Sequence, residues 1–343
     1  MSKEVNVEAA IGMVLGHDLT KIVPGQFKGR AFKKGHVISR DDIPELLRIG
    51  KEHIYIMEVK PGQLHEDDAV LRLAQALYGP HTEHNSAPVE GKIDIVASSD
   101  GLFKIKKSAM YDITACSEIS VASLHNNTPV KKGQQLAGAR VVPLIIGENA
   151  VHEVEITAAR YAPIMEVKPY LYHQVGIITT GSEIYTRRIE DRFTPVVMQK
   201  LSKYPSSILR HVIVNDCKED ITRVILELYH LGAQMIIVTG GMSVDPDDRT
   251  PAAIRDTGAE IITYGTPVLP GSMLMLAYLG GTMPVLGLPG CVMYNRTTVF
   301  DLVLPRLFAE ERMGRRDFTE MSVGGLCGNC DDCRFPDCGF GKA

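Results

Sequence analysis

Apolar positions along the chain change their rhythm near Pro169. Before it, two short helices stand among β-type runs. Asp41–Ile49 puts Ile43, Leu46 and Leu47 on one face and stops at Gly50. Glu66–Tyr78 repeats Val70, Leu73, Ala74 and Leu77 at helical spacing, with Glu66, Asp67 and Asp68 in the first turn, where acids suit the helix dipole. Ser99-Asp100-Gly101 reads as a hairpin turn between Ile93–Ala97 and Leu102–Ile105. Phe32-Lys33-Lys34-Gly35 and Val130-Lys131-Lys132-Gly133 echo each other as glycine turns with solvated basic pairs. After Pro169, short apolar strands alternate with amphipathic helices. Strands are expected at Val175–Thr179, Ser207–Val214, Met235–Val238 and Val285–Leu286. Helices are expected at Asp191–Lys203, after an Asp216/Glu219 capping box, from Thr250-Pro251, and at Tyr294–Leu307. This predicts a three-layer α/β/α domain with a mostly parallel sheet, preceded by a β-rich α+β domain. The expected divisions are residues 1–168, 169–316 and a cysteine-rich tail, 317–343.

Composition narrows the function. Lys plus Arg is 37 and Asp plus Glu is 41, a net charge of −4, which argues against bulk electrostatic binding of nucleic acid. Trp is absent, so stacking platforms for single strands are not expected either. Residues 261–295 carry no charge, yet four prolines and six glycines interrupt them, which suits buried strands better than a membrane span. The first residues lack the apolar core of a secretory signal. A cytoplasmic protein is expected, with no membrane or nucleic-acid partner; a homo-oligomer stays open.

Two sets of residues carry chemistry. Cys327, Cys330, Cys333 and Cys338 follow C-x2-C-x2-C-x4-C, and four soft ligands on so short a stretch suit zinc or an iron–sulfur cluster. The ferredoxin run ends with three intervening residues and a proline; here four intervene and Gly339 follows. Disulfides or a plain thiol tail are the competing readings. The remaining cysteines, Cys116, Cys217 and Cys291, read as buried or reduced thiols. The second set is three strand-ending loops: Thr179-Thr180-Gly181-Ser182-Glu183, Thr239-Gly240-Gly241-Met242-Ser243 and Gly287-Leu288-Pro289-Gly290. In an open parallel sheet these share one edge, and glycine lets backbone amides approach an anion. Phosphate is the expected guest. Asp245, Asp247 and Asp248 lie between the loops, where carboxylates can hold Mg2+ against phosphate oxygens. Read singly, each glycine is a turn and each aspartate a cap; together they point to a ligand.

At these loops, residues from about 172 to 310 resemble the molybdopterin-binding domain shared by molybdopterin molybdenumtransferases and molybdopterin adenylyltransferases. Thr239-Gly240-Gly241-Met242-Ser243-Val244 is similar to the transferase pattern S/T-G-G-V-S-V. Asp248-Arg249-Thr250-Pro251-Ala252-Ala253 is similar to the adenylyltransferase pattern R-D-x-T-P-E-A. Thr180-Gly181-Ser182-Glu183-Ile184 and Gly287-Leu288-Pro289-Gly290 resemble T-G-D/S-E-L and G-L-P-G-N-P. Cys291 and Val292 replace the usual Asn-Pro, Phe193 stands where Asn is common, and Asp245 replaces a glycine. The family's C-terminal barrel is replaced by the cysteine tail.

The resemblance implies binding of molybdopterin, adenylylated, with insertion of molybdate, Mg2+ and release of AMP. It places the ligand on Thr180, Gly181, Ser182, Glu183, Thr239, Gly240, Gly241, Ser243, Thr250, Pro289 and Gly290, with Asp248 and Asp245 catalytic. Two alternatives stand beside it. One is a non-catalytic carrier or sensor whose tail binds metal or docks a molybdoenzyme or biosynthetic partner. The other is a nucleotide pyrophosphatase, because competence-damage-inducible proteins use a similar domain with a D-D-x-T element, which Asp247-Asp248-Arg249-Thr250 fits.

Overall fold

A computed structural model describes residues 3–23, 27–57, 59–243 and 248–342. The chain divides into two compact units. The first contains most of residues 1–167; the second contains residues 168–343 with the short segments 100–102 and 127–129.

In the first unit, Lys3–Asn6 pairs with His53–Ile56, and Leu19–Val23 with Phe27–Phe32, both antiparallel. A four-stranded sheet runs in the order Thr82–His84, Lys92–Ala97, Gln135–Val141, Ile119–Ser123. The helices Glu66–Leu77 and Glu148–Tyr161 supply Val70, Leu73, Leu77, Val151 and Val154 to its core. The helix of residues 66–77 forms as its period predicts. The hairpin does not. Lys92–Ala97 and Gly101–Ile105 are both strands, but they belong to different sheets. The reason lies at Ala97, whose amide donates to Gln134 and whose carbonyl accepts from Gly133, so the strand end is taken by another turn.

The second unit is built on six strands: β1 (His173–Thr180), β2 (Ser206–Val214), β3 (Met235–Thr239), β4 (Glu260–Tyr264), β5 (Met275–Leu279) and β6 (Met283–Leu288). Their order is β2-β1-β3-β6-β5-β4. The first four are parallel; β5 and β4 join antiparallel. The helices are α1 (Ser182–Tyr185), α2 (Phe193–Leu201), α3 (Lys218–His230), α4 (Thr250–Asp256), α5 (Val299–Phe308) and α6 (Arg315–Glu320). The near-continuous apolar strands alternate their side chains between two cores, as a sheet covered on both faces requires. Val175, Ile177 and Ile237 meet α2 and α5 on one face. Ile178, Ile236 and Val238 meet α3 and α4 on the other. This is the expected α/β/α layering.

One helix boundary moves. The last long helix starts at Val299, not at Tyr294, because Thr298 caps it: its hydroxyl accepts from the Phe300 amide while Asp301 accepts from the Thr298 amide. The basic cluster from Arg312 to Arg316 packs into this unit. Met313 is buried, Arg312 pairs with Glu260 at 2.6 Å and lies over the Tyr278 ring, and Arg315 donates to Thr263 on β4. The tail is also part of this unit. Phe340 is buried in its core, Leu326 pairs with Leu269, and the Cys327 amide donates to the Leu269 carbonyl. Among the described residues no helix is long and apolar enough to cross a membrane.

Candidate functional site

The strand order reverses at β1: the chain passes from β1 to β2 on one side, then crosses to β3 on the other. Ligands of open α/β sheets bind outside the carboxyl ends at such a point, where the loops part to leave a crevice. Here Thr179 pairs with Thr239, and Thr239 with Leu288, so three strand ends lie side by side. A cleft of about 1040 Å³ opens above them.

Nine of the residues singled out by sequence line this cleft: Thr180, Glu183, Thr239, Gly240, Gly241, Ser243, Asp248, Pro289 and Gly290. Gly181, Ser182 and Thr250 do not line it. Thr250 is fully buried and serves the loop instead: its hydroxyl donates to the Gly240 carbonyl at 2.9 Å and its amide to the Gly241 carbonyl at 3.2 Å. Asp245 and Asp247 lie outside the described residues.

The second loop needs its glycines. Gly240 and Gly241 have φ of +89° and +58°, a region that penalises any side chain. A Cβ on Gly240 would stand 2.5 Å from the Thr180 carbonyl oxygen, and one on Gly241 2.9 Å from the Thr250 hydroxyl. Against this turn, the Thr180 hydroxyl is buried without a hydrogen-bond partner. A buried orphan hydroxyl costs stability unless something bonds to it. A polar ligand in the cleft is one partner of the right kind.

The first loop differs. The Ser182 amide, at the start of α1, already donates to the Asp216 carboxylate at 2.6 Å. The expected capping box is therefore not formed; Cys217 precedes α3, and Asp216 reaches across to the first loop. The phosphate expected at Ser182 would meet a carboxylate in its place.

Several lining residues escaped the sequence reading. Arg192 and Glu190 reach the cleft from the segment before α2. Pro270, Gly271 and Ser272 approach from the turn between β4 and β5; their signal was a Pro-Gly pair between two apolar runs. Behind the lining stands a polar cluster. Thr179 on β1 bonds Asp191 at 3.0 Å, Thr194 at 2.9 Å and His211 at 3.0 Å. Asp191 also accepts from the Phe193 and Thr194 amides at 2.8 and 3.0 Å, which fixes the start of α2. Burial pushes its carboxyl up, but the hydrogen bonds from Thr194, Phe193 and Thr179 outweigh that and hold it below the ordinary carboxylate value.

Outside this unit, His65, Glu66 and Asp67 bring three ligand atoms within 4.8 Å. Their partners are internal: His65 Nε2 meets the Gly16 carbonyl and Nδ1 meets Lys34 Nζ. Burial pushes the Glu66 carboxyl up to about 7.

Comparison with known proteins identifies the second unit. Residues 176–309 match a family model described as a probable molybdopterin binding domain. That domain belongs to the molybdopterin-binding domain family. Residues 4–58 match a second model, described as a domain of unknown function. A CinA-like protein of Mycobacterium sp. (strain JLS) is 32% identical over 90 residues, 26% of this chain and 21% of that protein. A molybdenum cofactor biosynthesis bifunctional protein of Synechococcus elongatus is 32% identical over 83 residues, 24% of this chain and 26% of that protein. The chain thus spans about a quarter or less of these curated relatives. Among solved structures, the molybdopterin biosynthesis enzyme MoaB of Thermus thermophilus is 21% identical, with 40% of this chain and 98% of that one covered, at a TM-score of 0.33. The molybdopterin-binding domain is of the molybdenum cofactor biosynthesis or CinA-like type. Its sequence range runs from within β1 to the end of α5, and so contains all three loops of the cleft.

Proposed function

We propose that the cleft binds molybdopterin in adenylylated form and that the protein inserts molybdate into it during molybdenum cofactor biosynthesis. One observation carries the reading: the unpartnered Thr180 hydroxyl lies against the left-handed Gly240-Gly241 turn, at the point where the strand order reverses. Glycine keeps that turn thin, so a pterin or phosphate oxygen can come close to backbone. The Thr180 hydroxyl bonds the ligand, and Thr250 holds the turn in place from behind. Arg192 gives the cleft a positive charge toward the phosphates, and Glu183 and Glu190 face the pterin's amino and ring N–H groups.

Asp248 offers the kind of hard oxygen that Mg2+ takes, and such an ion uses one or two carboxylates and fills its other positions with phosphate oxygens and water. An Mg2+ held there by Asp248 would supply positive charge to the phosphoanhydride. Asp248 is then its protein ligand, or orients the attacking oxygen.

The likeness to a CinA-like protein favours a second reading, hydrolysis of a nucleotide pyrophosphate in the same cleft by Asp248 and its neighbours. One set of assays tests both. The full chain is offered adenylylated molybdopterin with molybdate and Mg2+, and separately ADP-ribose. Molybdate-dependent AMP release, abolished by Asp248→Asn, is expected. AMP from ADP-ribose alone would replace the first reading by the second; binding without either turnover would leave a carrier. Thr180→Val tests the binding step. Removing an orphan hydroxyl should raise stability by up to about 1 kcal/mol, while ligand affinity falls about tenfold. Unchanged affinity would remove the hydroxyl from the site.

A further inference from the structure

The four tail cysteines lie outside the cleft and take no part in the function proposed above. All four line a single cavity of about 510 Å³. Cys327 and Cys338 are half-buried against the second unit's core, while Cys330 and Cys333 are exposed. The surrounding chain holds them in place. The Cys327 amide is tied to Leu269 at 2.8 Å, the Cys333 sulfur lies 3.2 Å from the Thr297 hydroxyl, and Arg296 donates to the Asp331 carbonyl at 2.8 Å. Asn329, between Cys327 and Cys330, has a left-handed φ of +46°, which turns the chain back toward the cavity.

The spacing of the sulfurs decides what fits. A tetrahedral zinc ion, with Zn–S near 2.3 Å, needs its four sulfurs about 3.8 Å apart. Among the described residues, the grouping of three metal-type ligand atoms within 4.8 Å occurs at His65, Glu66 and Asp67, not among the cysteines. No three of these sulfurs therefore lie within 4.8 Å of one another, although all four cysteines line one cavity. A cluster with each thiolate on a different iron sets its ligands farther apart and fills more volume. Arg296 and Arg334 stand on the cavity wall with one acid, Asp331, and leave a net positive charge beside what four thiolates would make an anionic group. Phe335 and Phe340 give it an apolar side.

We infer that Cys327, Cys330, Cys333 and Cys338 ligate a four-iron, four-sulfide cluster rather than a zinc ion. The first three cysteines keep the C-x2-C-x2-C rhythm of such sites, and the longer last gap brings Phe335 to the cavity wall before Cys338. Each thiol gives up its proton to solvent as it binds iron. Tyr294 lines both this cavity and the cleft, so the cluster would sit one side chain from the ligand.

The test uses the full chain, purified anaerobically and supplied with equal amounts of ferric and ferrous iron and with sulfide, so that two ferric ions, two ferrous ions and four sulfides make the oxidised cluster. About four irons and four sulfides per chain are expected, with a brown charge-transfer absorption and, after reduction, a paramagnetic signal of one cluster. Cys330→Ser alters an exposed position and should lower bound iron several-fold, whereas Cys217→Ser should leave it unchanged. One zinc per chain without colour, two irons per chain, four free thiols after reconstitution, or full iron retention in Cys330→Ser would each overturn the inference. None of these readouts depends on molybdopterin, so this site can fail while the cleft stands, and the reverse.

Discussion

Two loops of the second unit look interchangeable in sequence. Thr180-Gly181-Ser182 and Thr239-Gly240-Gly241 both end a parallel strand in Thr-Gly and both precede a helix. In the folded chain they do different work. The first loop turns its Ser182 amide to Asp216, and a Cβ on Gly181 would lie 3.2 Å from the Glu183 carboxylate, so two acids crowd the place where an anion would bind. The second shares the cleft with Asp248, but the atoms nearest its glycines are those of Thr180 and Thr250: its carbonyls accept from Thr250, and the orphan Thr180 hydroxyl stands beside it. A glycine loop at a strand end is therefore an anion site only when nothing in the chain has already occupied it. That decision rests on residues far away in sequence, Asp216 lying 34 positions from Ser182.

The strongest way to break the contrast is to add a side chain to each loop. Gly240→Val forces a Cβ to 2.5 Å from backbone oxygen at a left-handed φ. A loss of at least a hundredfold in ligand affinity is expected, with about 3 kcal/mol of stability. Gly181→Ala also meets a positive φ, +143°, but its nearest neighbour is the movable end of Glu183. It should cost about 1–2 kcal/mol and change affinity by less than severalfold. Calorimetry on both variants measures the two effects. Equal losses of affinity would make the loops equivalent after all.

The next largest effect concerns Asp191, which holds Thr179, at the end of β1, and the start of α2. Its hydrogen bonds hold its carboxyl below the ordinary value, so it adds stability above about pH 4 that disappears as pH falls through the lowered folded value. Asp191→Asn keeps the shape but weakens four contacts: from the Thr179 and Thr194 hydroxyls and the Phe193 and Thr194 amides. A loss of about 1–2 kcal/mol near pH 7 is expected, shrinking toward zero in acid. Chemical denaturation at two pH values checks it. A loss that stays constant into acid would show that ionised Asp191 contributes nothing special.

Much of this fold is legible in the sequence. The alternation after Pro169 marks the α/β/α unit because buried parallel strands are uniformly apolar and their crossovers are amphipathic. The three loops were found because glycine at a strand end is a local signal. What sequence could not supply was long-range pairing. The hairpin at Ser99-Asp100-Gly101 has good turn chemistry, yet Ala97 bonds residues 133 and 134 instead. Asp216 followed by Glu219 matches a capping pattern, yet a partner across the sheet edge takes the carboxylate. Asp191 and His211 were missed because an aspartate two residues before a helix is common, and only the fold brings Thr179 and His211 to it. The cysteine spacing was read directly, but the cavity that separates its sulfurs is tertiary.

The smallest effect is the sharpest test of the loop comparison. Asp216→Ala removes the acid that holds the Ser182 amide at 2.6 Å. That amide lies at an exposed position and can bond water instead, so the cost should stay at or below about 1 kcal/mol. Removing a negative charge near the cleft should also improve affinity for an anionic ligand, by less than about threefold and only at low salt, since exposed charges are screened within roughly 10 Å at 0.1 M. If binding rests on the second loop, nothing larger follows. A tenfold gain, persisting at high salt, would mean that the freed Ser182 amide had become an anion site, and that a single acid is all that separates the two loops. A tenfold loss would mean that Asp216 holds the ligand itself, and the first loop would then be the anchor. Titrations of Asp216→Ala and Asp216→Asn with the same ligand at two ionic strengths distinguish these outcomes, because only a direct contact survives screening.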